Sequence, residues 1–314
     1  MHKFLIILMS DDSPSFCHYE NKMDSHKLLS LDNLKEAIRF SMKENMSIQI
    51  ILPKHQLPDE YLEQIPPNTV LIASYDSCYA NQADALVFQS VKEFNEYFPD
   101  KEQVCVLLLK HYDLDSLLTI KEQNLLGIKR LVIALQGIKG FNSNAFDKYK
   151  SGLNSLSIKL ESVYKSSGNI TVNVLSDILF ADKMNNCNAG IDSVTVAPNG
   201  RLYLCPAFYY DSKESSIGDC VCGITLKNRH LLELESAPIC RICDVYHCRR
   251  CIWLNQKLTG ELNTPSKQQC ILSHIERNQG KELLSRLRKI DPSFASGRII
   301  KDIEYLDPFE LISR

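Results

Sequence analysis

Charge of one sign is the first thing this chain lacks. Its 36 Lys and Arg stand against 38 Asp and Glu, a formal net charge of -2 at pH 7. Without a basic excess, no nucleic-acid partner is expected. A long apolar run is missing too: nothing approaches the roughly 18 residues of a membrane span, so no membrane partner is expected either. The opening stretch Met1–Met9 imitates a signal peptide, but its apolar run is short and leads into Ser10, Asp11 and Asp12 with no small-residue cleavage site. It reads as a first buried strand, which makes the protein cytoplasmic. Nucleotide and hydrolase signatures are also absent. There is no G-x-G-x-x-G, no Walker phosphate loop and no G-x-S-x-G elbow, and Gly137-Ile138-Lys139-Gly140 is too short to count. What remains is an ordinary globular composition, 44% hydrophobic and 24% charged, which excludes wholesale disorder.

Cysteine is the abundance, with 12 residues in 314. Where thiols stay reduced, such a count points to metal binding or catalysis rather than disulfides. Cys17, Cys78 and Cys105 are scattered. The others (Cys187, Cys205, Cys220, Cys222, Cys240, Cys243, Cys248, Cys251 and Cys270) fall between positions 187 and 270. The chain therefore divides by chemistry into residues 1–180, 181–280 and a terminal helix and tail, 281–314.

The first 180 residues alternate β-branched runs with helix-period stretches. Strands are expected at Phe4–Met9, Ser47–Leu52, Thr69–Ala73, Ala85–Phe88, Val104–Leu109, Lys129–Ala134 and Ile170–Leu175. Helices are expected at Leu31–Glu44, with Leu31, Leu34, Ile38 and Met42 on one face and Ser30 or Asp32 as N-cap, and at Asp113–Leu126 and Ala145–Tyr164. The alternation predicts an α/β fold with a mostly parallel sheet, open or curled into a partial or full (β/α) barrel. Cys17 with His18 follows the first strand, where α/β folds often place function; Cys78 and Cys105 read as small buried residues.

Two patterns in the cysteine-rich stretch carry chemistry. Alternation on both sides of Asn199-Gly200 predicts a β-hairpin over Ile191–Cys205. A two-residue loop would set Cys205 opposite Val194 and bring Cys187 to the same end. Then comes Cys240-Arg-Ile-Cys243-Asp-Val-Tyr-His-Cys248-Arg-Arg-Cys251, a C-x2-C-x4-C-x2-C knot, with Cys270 beyond. A tetrahedral zinc, with bonds of about 2.3 Å, holds its sulfurs roughly 3.8 Å apart. Four residues between the two C-x2-C pairs leave little chain for that approach. Iron–sulfur cubanes hold their ligands more widely, and neighbouring cysteines can serve different clusters. The knot favours iron–sulfur clusters, with zinc as the alternative. His247, Arg241, Arg249 and Arg250 sit where they would tune or simply stabilise an anionic site. His274 and Glu276 read as a solvated helix face, and Trp253 as core.

Cys187, twelve residues, Gly200, four residues and Cys205, then the knot and Cys270, resemble the SPASM domain. This is the auxiliary-cluster module of radical SAM enzymes that modify ribosomally made peptides. Ser216-Ile217-Gly218-Asp219 resembles its short link, and the run Cys248–Asn278 resembles the CXXX-repeat peptide maturases. The family knot is C-x2-C-x5-C-x3-C, so each of the last two gaps here is one residue shorter. The resemblance implies two auxiliary 4Fe-4S clusters. Cys187, Cys205 and Cys251 would serve the first, and Cys240, Cys243, Cys248 and Cys270 the second. Cys220 and Cys222 are candidates for the first cluster's missing fourth thiolate.

The initiator motif of radical SAM enzymes, C-x3-C-x2-C after the first barrel strand, is not here; only Cys17 stands in that place. On that ground the sequence argues against S-adenosylmethionine binding and favours dependence on a separate radical SAM enzyme. Cys240, Cys243 and Cys248 alone also resemble an atypical C-x2-C-x4-C radical SAM motif. The expectation is a degenerate barrel followed by a SPASM-like domain. Its function is to mature a cysteine-rich precursor peptide, as a peptide-modifying redox enzyme or as the partner of one. A zinc-stabilised peptide-binding module without redox chemistry is the alternative, and no catalytic residue is assigned.

Overall fold

The computed structural model describes residues 2–21, 26–98, 103–166 and 168–300. The strands are β1 (Phe4–Leu8), β2 (Ser47–Ile51), β3 (Val70–Ser74), β4 (Ala85–Phe88), β5 (Val104–Lys110), β6 (Arg130–Gln136) and β7 (Thr171–Val172), followed by β8 (Ser193–Val196), β9 (Arg201–Tyr203), β10 (Gly218–Asp219) and β11 (Gly223–Ile224). The helices are α1 (Leu31–Lys43), α2 (Asp59–Leu62), α3 (Val91–Glu96), α4 (Glu122–Leu126), α5 (Ser143–Lys165), α6 (Asp177–Phe180), α7 (Pro206–Asp211), α8 (Ile252–Thr259) and α9 (Lys267–Ile290). None of the described helices is long and apolar enough to cross a membrane. The chain forms two compact units, 1–87 with 187–237, and 88–186 with 238–314.

The first unit is built on β1. Its residues after Phe4 are buried because parallel partners flank it on both sides: Leu8 sits opposite Ile51 of β2, and Ile7 opposite Val196 of β8. Apolar runs of this kind are what a strand covered on both faces requires. The parallel set continues through β3 to β4, while β9, β10 and β11 extend the other side antiparallel. Helix α1 begins where expected: Ser30 accepts the Asn33 N–H. Its buried face differs from expectation. Leu34, Ala37, Phe40 and Ser41 are buried, whereas Met42 is 74% exposed.

The hairpin of β8 and β9 also differs by one residue. Thr195 pairs with Tyr203 and Val196 with Leu202, while the Ala197 N–H donates to the Arg201 carbonyl and the Gly200 N–H to Ala197. The loop is therefore Pro198-Asn199-Gly200. A two-residue loop on Asn199-Gly200 needs positive φ at both positions; only Gly200, at 78°, adopts it. Leu204, not Cys205, thus falls in line with Val194. A β-carbon on Gly200 would also come within 2.5 Å of the Asn33 carboxamide.

The second unit pairs β5, β6 and β7 in parallel. Helix α5, capped by Asn142, packs on α9 and on the 3-10 turn Leu114–Thr119. Gly152 makes the second contact close, since a β-carbon there would lie 2.7 Å from Leu117. The helix expected over Asp113–Leu126 is thus two pieces, that turn and α4. Cys105 is fully buried in β5 as expected; Cys78 is exposed.

Candidate metal centre

Two tight turns and one helix start bring four thiols to one cavity in the second unit. The Cys243 N–H donates to the Cys240 carbonyl at 3.2 Å, and the Cys248 N–H to Val245 at 3.0 Å. Cys270 lies in the first turn of α9, whose Ser266 cap accepts the Gln269 N–H. Cys240, Cys243, Cys248 and Cys270 all line a cavity of about 180 Å³, together with Arg250 and His274. That volume far exceeds the roughly 10–15 Å³ a single water needs. Among the described residues, no three cysteine sulfurs lie within 4.8 Å of one another. A single tetrahedral ion would draw them closer than that.

Burial opposes ionisation of these thiols in the metal-free chain. It pushes Cys240 up to about 12 and Cys243 up to about 11, and Cys248 also rises. A bound cation reverses this, because a coordinating thiol is deprotonated outright. Positive charge is built into the surroundings. Arg250 and Arg277 are each only 1% exposed; Arg250 donates to Asn186 and Asn263 at 3.0 Å, and Arg277 to Asp244 at 2.8 Å. Arg241 and Arg249 are exposed, so of the three flanking arginines only Arg250 meets the cavity.

The expected solvated face of α9 is instead interior. His274 and Glu276 are buried; Glu276 accepts from the Tyr149 hydroxyl at 2.7 Å and pairs with His247 Nε2 at 3.0 Å. Burial lowers His274 to about 4. The charged appearance of Ile271–Asn278 hides this. Its signal is spacing: Cys270, Ser273, His274 and Arg277 follow i, i+3, i+4, i+7 and share a face. Trp253, read as core, is only half-buried on α8. Cys251, buried, caps α8 and is not on the cavity wall.

The first unit gathers a different set. Cys205 caps α7, and burial, with Cys187 and Cys17 in electrostatic reach, drives its thiol strongly up. Tyr19, buried and within electrostatic reach of both Cys17 and Cys205, stacks on Tyr210 of α7 at 5.4 Å. Cys17 therefore does not stand apart from the other thiols, as its isolation in sequence had implied. Cys220 and Cys222 occupy the β10–β11 turn, where Asp219 accepts the Val221 and Cys222 N–H groups. Burial, with Asp219 and Glu36 nearby, pushes Cys220 up to about 12. The thiols that act on Cys205 are Cys187 and Cys17, whereas Asp219 and Glu36 act on Cys220.

No protein-family profile and no curated protein matches the chain in sequence. Solved structures do match its fold. Native anSMEcpe with bound AdoMet and Cp18Cys peptide aligns with 92% of this chain and 100% of its own at TM-score 0.59 and 11% identity. A hexahistidine-tagged form of anSMEcpe with bound AdoMet covers 91% of this chain and 98% of its own, at 0.60 and 10%. Streptococcus suis SuiB bound to its precursor peptide SuiA covers 86% and 76%, at 0.49 and 13%.

The α/β fold with its large parallel sheet is thus one already seen in solved chains. One expectation is corrected. The case against S-adenosylmethionine rested on a missing motif, yet the two solved chains with the higher scores share this fold over their whole length and carry AdoMet.

Proposed function

We propose that this chain matures a ribosomally made, cysteine-rich peptide of the CXXX-repeat kind, as a member of the radical SAM and SPASM group that its cysteine pattern resembles. The observation that carries the reading is the convergence of Cys240, Cys243, Cys248 and Cys270 on one cavity, in a fold that elsewhere bears AdoMet and a peptide. Those four thiols would hold one 4Fe-4S cluster, supplying a redox-active group held by soft ligands. The donor set fits: four thiols on one cavity wall, with buried Arg250 beside them to offset the negative charge. Cys187 and Cys205 would serve the other cluster. Cys17, in reach of Cys205, joins them in our reading. Cys251 stays in the assignment by its place in the SPASM pattern.

The loop after β1 offers one thiol where a radical-initiating cluster takes three, so we assign initiation to a separate radical SAM enzyme and derive no cleavage step on this chain. Its own residues would bind and orient the peptide and hold the thiolate sites dry. Anaerobic purification with iron, sulfide and zinc analysis tests the reading, alongside calorimetric titration with S-adenosylmethionine and a CXXX-repeat peptide. Iron and sulfide near eight of each per chain with peptide binding supports it. Stoichiometric zinc without sulfide would leave a zinc-stabilised binding module.

A further inference from the structure

A second group of metal-competent side chains lies in the first unit, and it contains no sulfur. Asp12 follows β1 and His55 follows β2, two adjacent parallel strands in register at Leu8 and Ile51. His26 precedes the Ser10–Leu28 bridge. All three therefore meet at the carboxyl ends of parallel strands, where open α/β sheets bind ligands. One carboxylate oxygen, Asp12 Oδ2, takes both imidazoles: His55 Nδ1 at 2.8 Å and His26 Nδ1 at 3.1 Å. A ligand atom from each lies within 4.8 Å of the others, and the rings stand 76° apart with centroids at 5.9 Å. The Asp12 side chain is 12% exposed, and its second oxygen, Oδ1, is buried without a hydrogen-bond partner.

We propose that Asp12, His26 and His55 form a binding site for one divalent first-row transition-metal ion. Two imidazoles and a carboxylate are borderline donors that suit zinc, iron(II) or cobalt(II) and discriminate against the all-oxygen preference of calcium and magnesium. Three ligands on one side leave the remaining positions open to water or substrate, as in two-histidine-one-carboxylate sites. His26 is 74% exposed and His55 37%, so an ion can reach the site from solvent. Burial pushes the Asp12 carboxyl up, but hydrogen bonds from Ser10, His55 and His26 outweigh it and keep it below its ordinary value. The carboxylate is therefore ready as a ligand. Each Nδ1 that now faces Asp12 would turn its lone pair to the ion, the ring carrying its single proton on Nε2; uptake therefore needs neutral rings and weakens at low pH.

The ordinary reading is an aspartate bridged to two histidines by ion pairs alone. Titrating the full-length, cluster-loaded protein with Co²⁺ separates the two. The proposal expects one equivalent bound with weak visible d–d absorption, no added thiolate-to-metal charge transfer, and an affinity that falls as the pH is lowered. It also expects the affinity to fall about tenfold or more in His26→Ala and in His55→Ala, with iron content unchanged. His26→Ala removes an exposed ring and keeps the test free of misfolding. Unchanged affinity in both variants, or binding seen only as thiolate charge transfer, would overturn it.

Discussion

Tyr209 donates its hydroxyl to Asp11 Oδ1 at 2.6 Å. The bond ties α7, which Cys205 caps, to the loop that carries Asp12 and Cys17. Tyr210 adds a second tie, donating to the Asp11 carbonyl at 3.3 Å, and Asn21 a third, donating to the Tyr210 hydroxyl at 3.2 Å. The loop that leads to Cys17 is thus anchored at Asp11 by hydrogen bonds from an aromatic helix.

Tyr209→Phe keeps the ring and removes that donor from a buried carboxylate. A loss of about 1–3 kcal/mol is expected, read by chemical denaturation. If Cys17 belongs to the same thiol site as Cys205, iron retention during anaerobic gel filtration should drop with it. Stability loss with full iron retention would separate Cys17 from the site.

Serine replacements map the thiol cavity. Cys240→Ser, Cys243→Ser, Cys248→Ser and Cys270→Ser should each lower iron by about half and change the same electron paramagnetic resonance signal. Cys78→Ser, exposed and away from both sets, should change neither. Different signals lost on changing Cys240 and Cys270 would show that they serve different groups.

Glu276 joins α9 to α5 through Tyr149 and to the cysteine knot through His247. Glu276→Ala leaves two buried polar partners without an acceptor and should cost roughly 3 kcal/mol or more; Tyr149→Phe should cost about half that. Thermal unfolding of the cluster-free protein reads both. Equal losses would mean that the His247 contact adds nothing.

Alkaline pH should unfold the protein in part through Cys105. Burial in β5 pushes its thiol from the ordinary 9.0 up to about 12. The folded state then keeps a proton that the unfolded chain gives up above pH 9. Its contribution is full below pH 9 and falls by about 1.4 kcal/mol per pH unit as the pH rises towards 12. Denaturant midpoints from pH 8 to 11 should decline less steeply in Cys105→Ala than in the parent, and parallel slopes would contradict this.

Much of the fold was legible because buried parallel strands write themselves as unbroken apolar runs: Phe4–Leu8, Ser47–Ile51 and Val104–Lys110 all appear within a residue or so of expectation. The hairpin loop slipped by one because Pro198 starts the turn, and a dipeptide signal ignores the residue before it. The face of α1 was misjudged because Ala37 and Ser41 carry too little apolar character to mark a buried stripe. At the candidate site, spacing alone ran Cys240, Cys243, Cys248 and Cys251 together, whereas the cavity takes Cys270 in place of Cys251, the grouping that the family resemblance implied. Spacing could not place Cys17 near Cys205, since that depends on how α7 meets a loop nearly two hundred residues earlier. Spacing from Cys270 marks the face of His274, but Glu276 lies off it, and a charged residue there is buried only because partners such as Tyr149 and His247 arrive from elsewhere.

Arg250 stands in the left-handed region, at φ 39°, with its backbone N–H on Cys248 Sγ at 3.5 Å. Its side chain reaches Asn186, 64 positions back, and Asn263, 13 ahead. The chain leaves the second unit at Asn186 and re-enters it at Pro238, so one guanidinium on the returning segment holds the last residue before the departure. During synthesis from the amino end, that wall of the cavity closes only after the whole excursion and Asn263 have left the ribosome. Until then Arg250 has only one of its two asparagine partners, so this wall is among the last parts of the second unit to set.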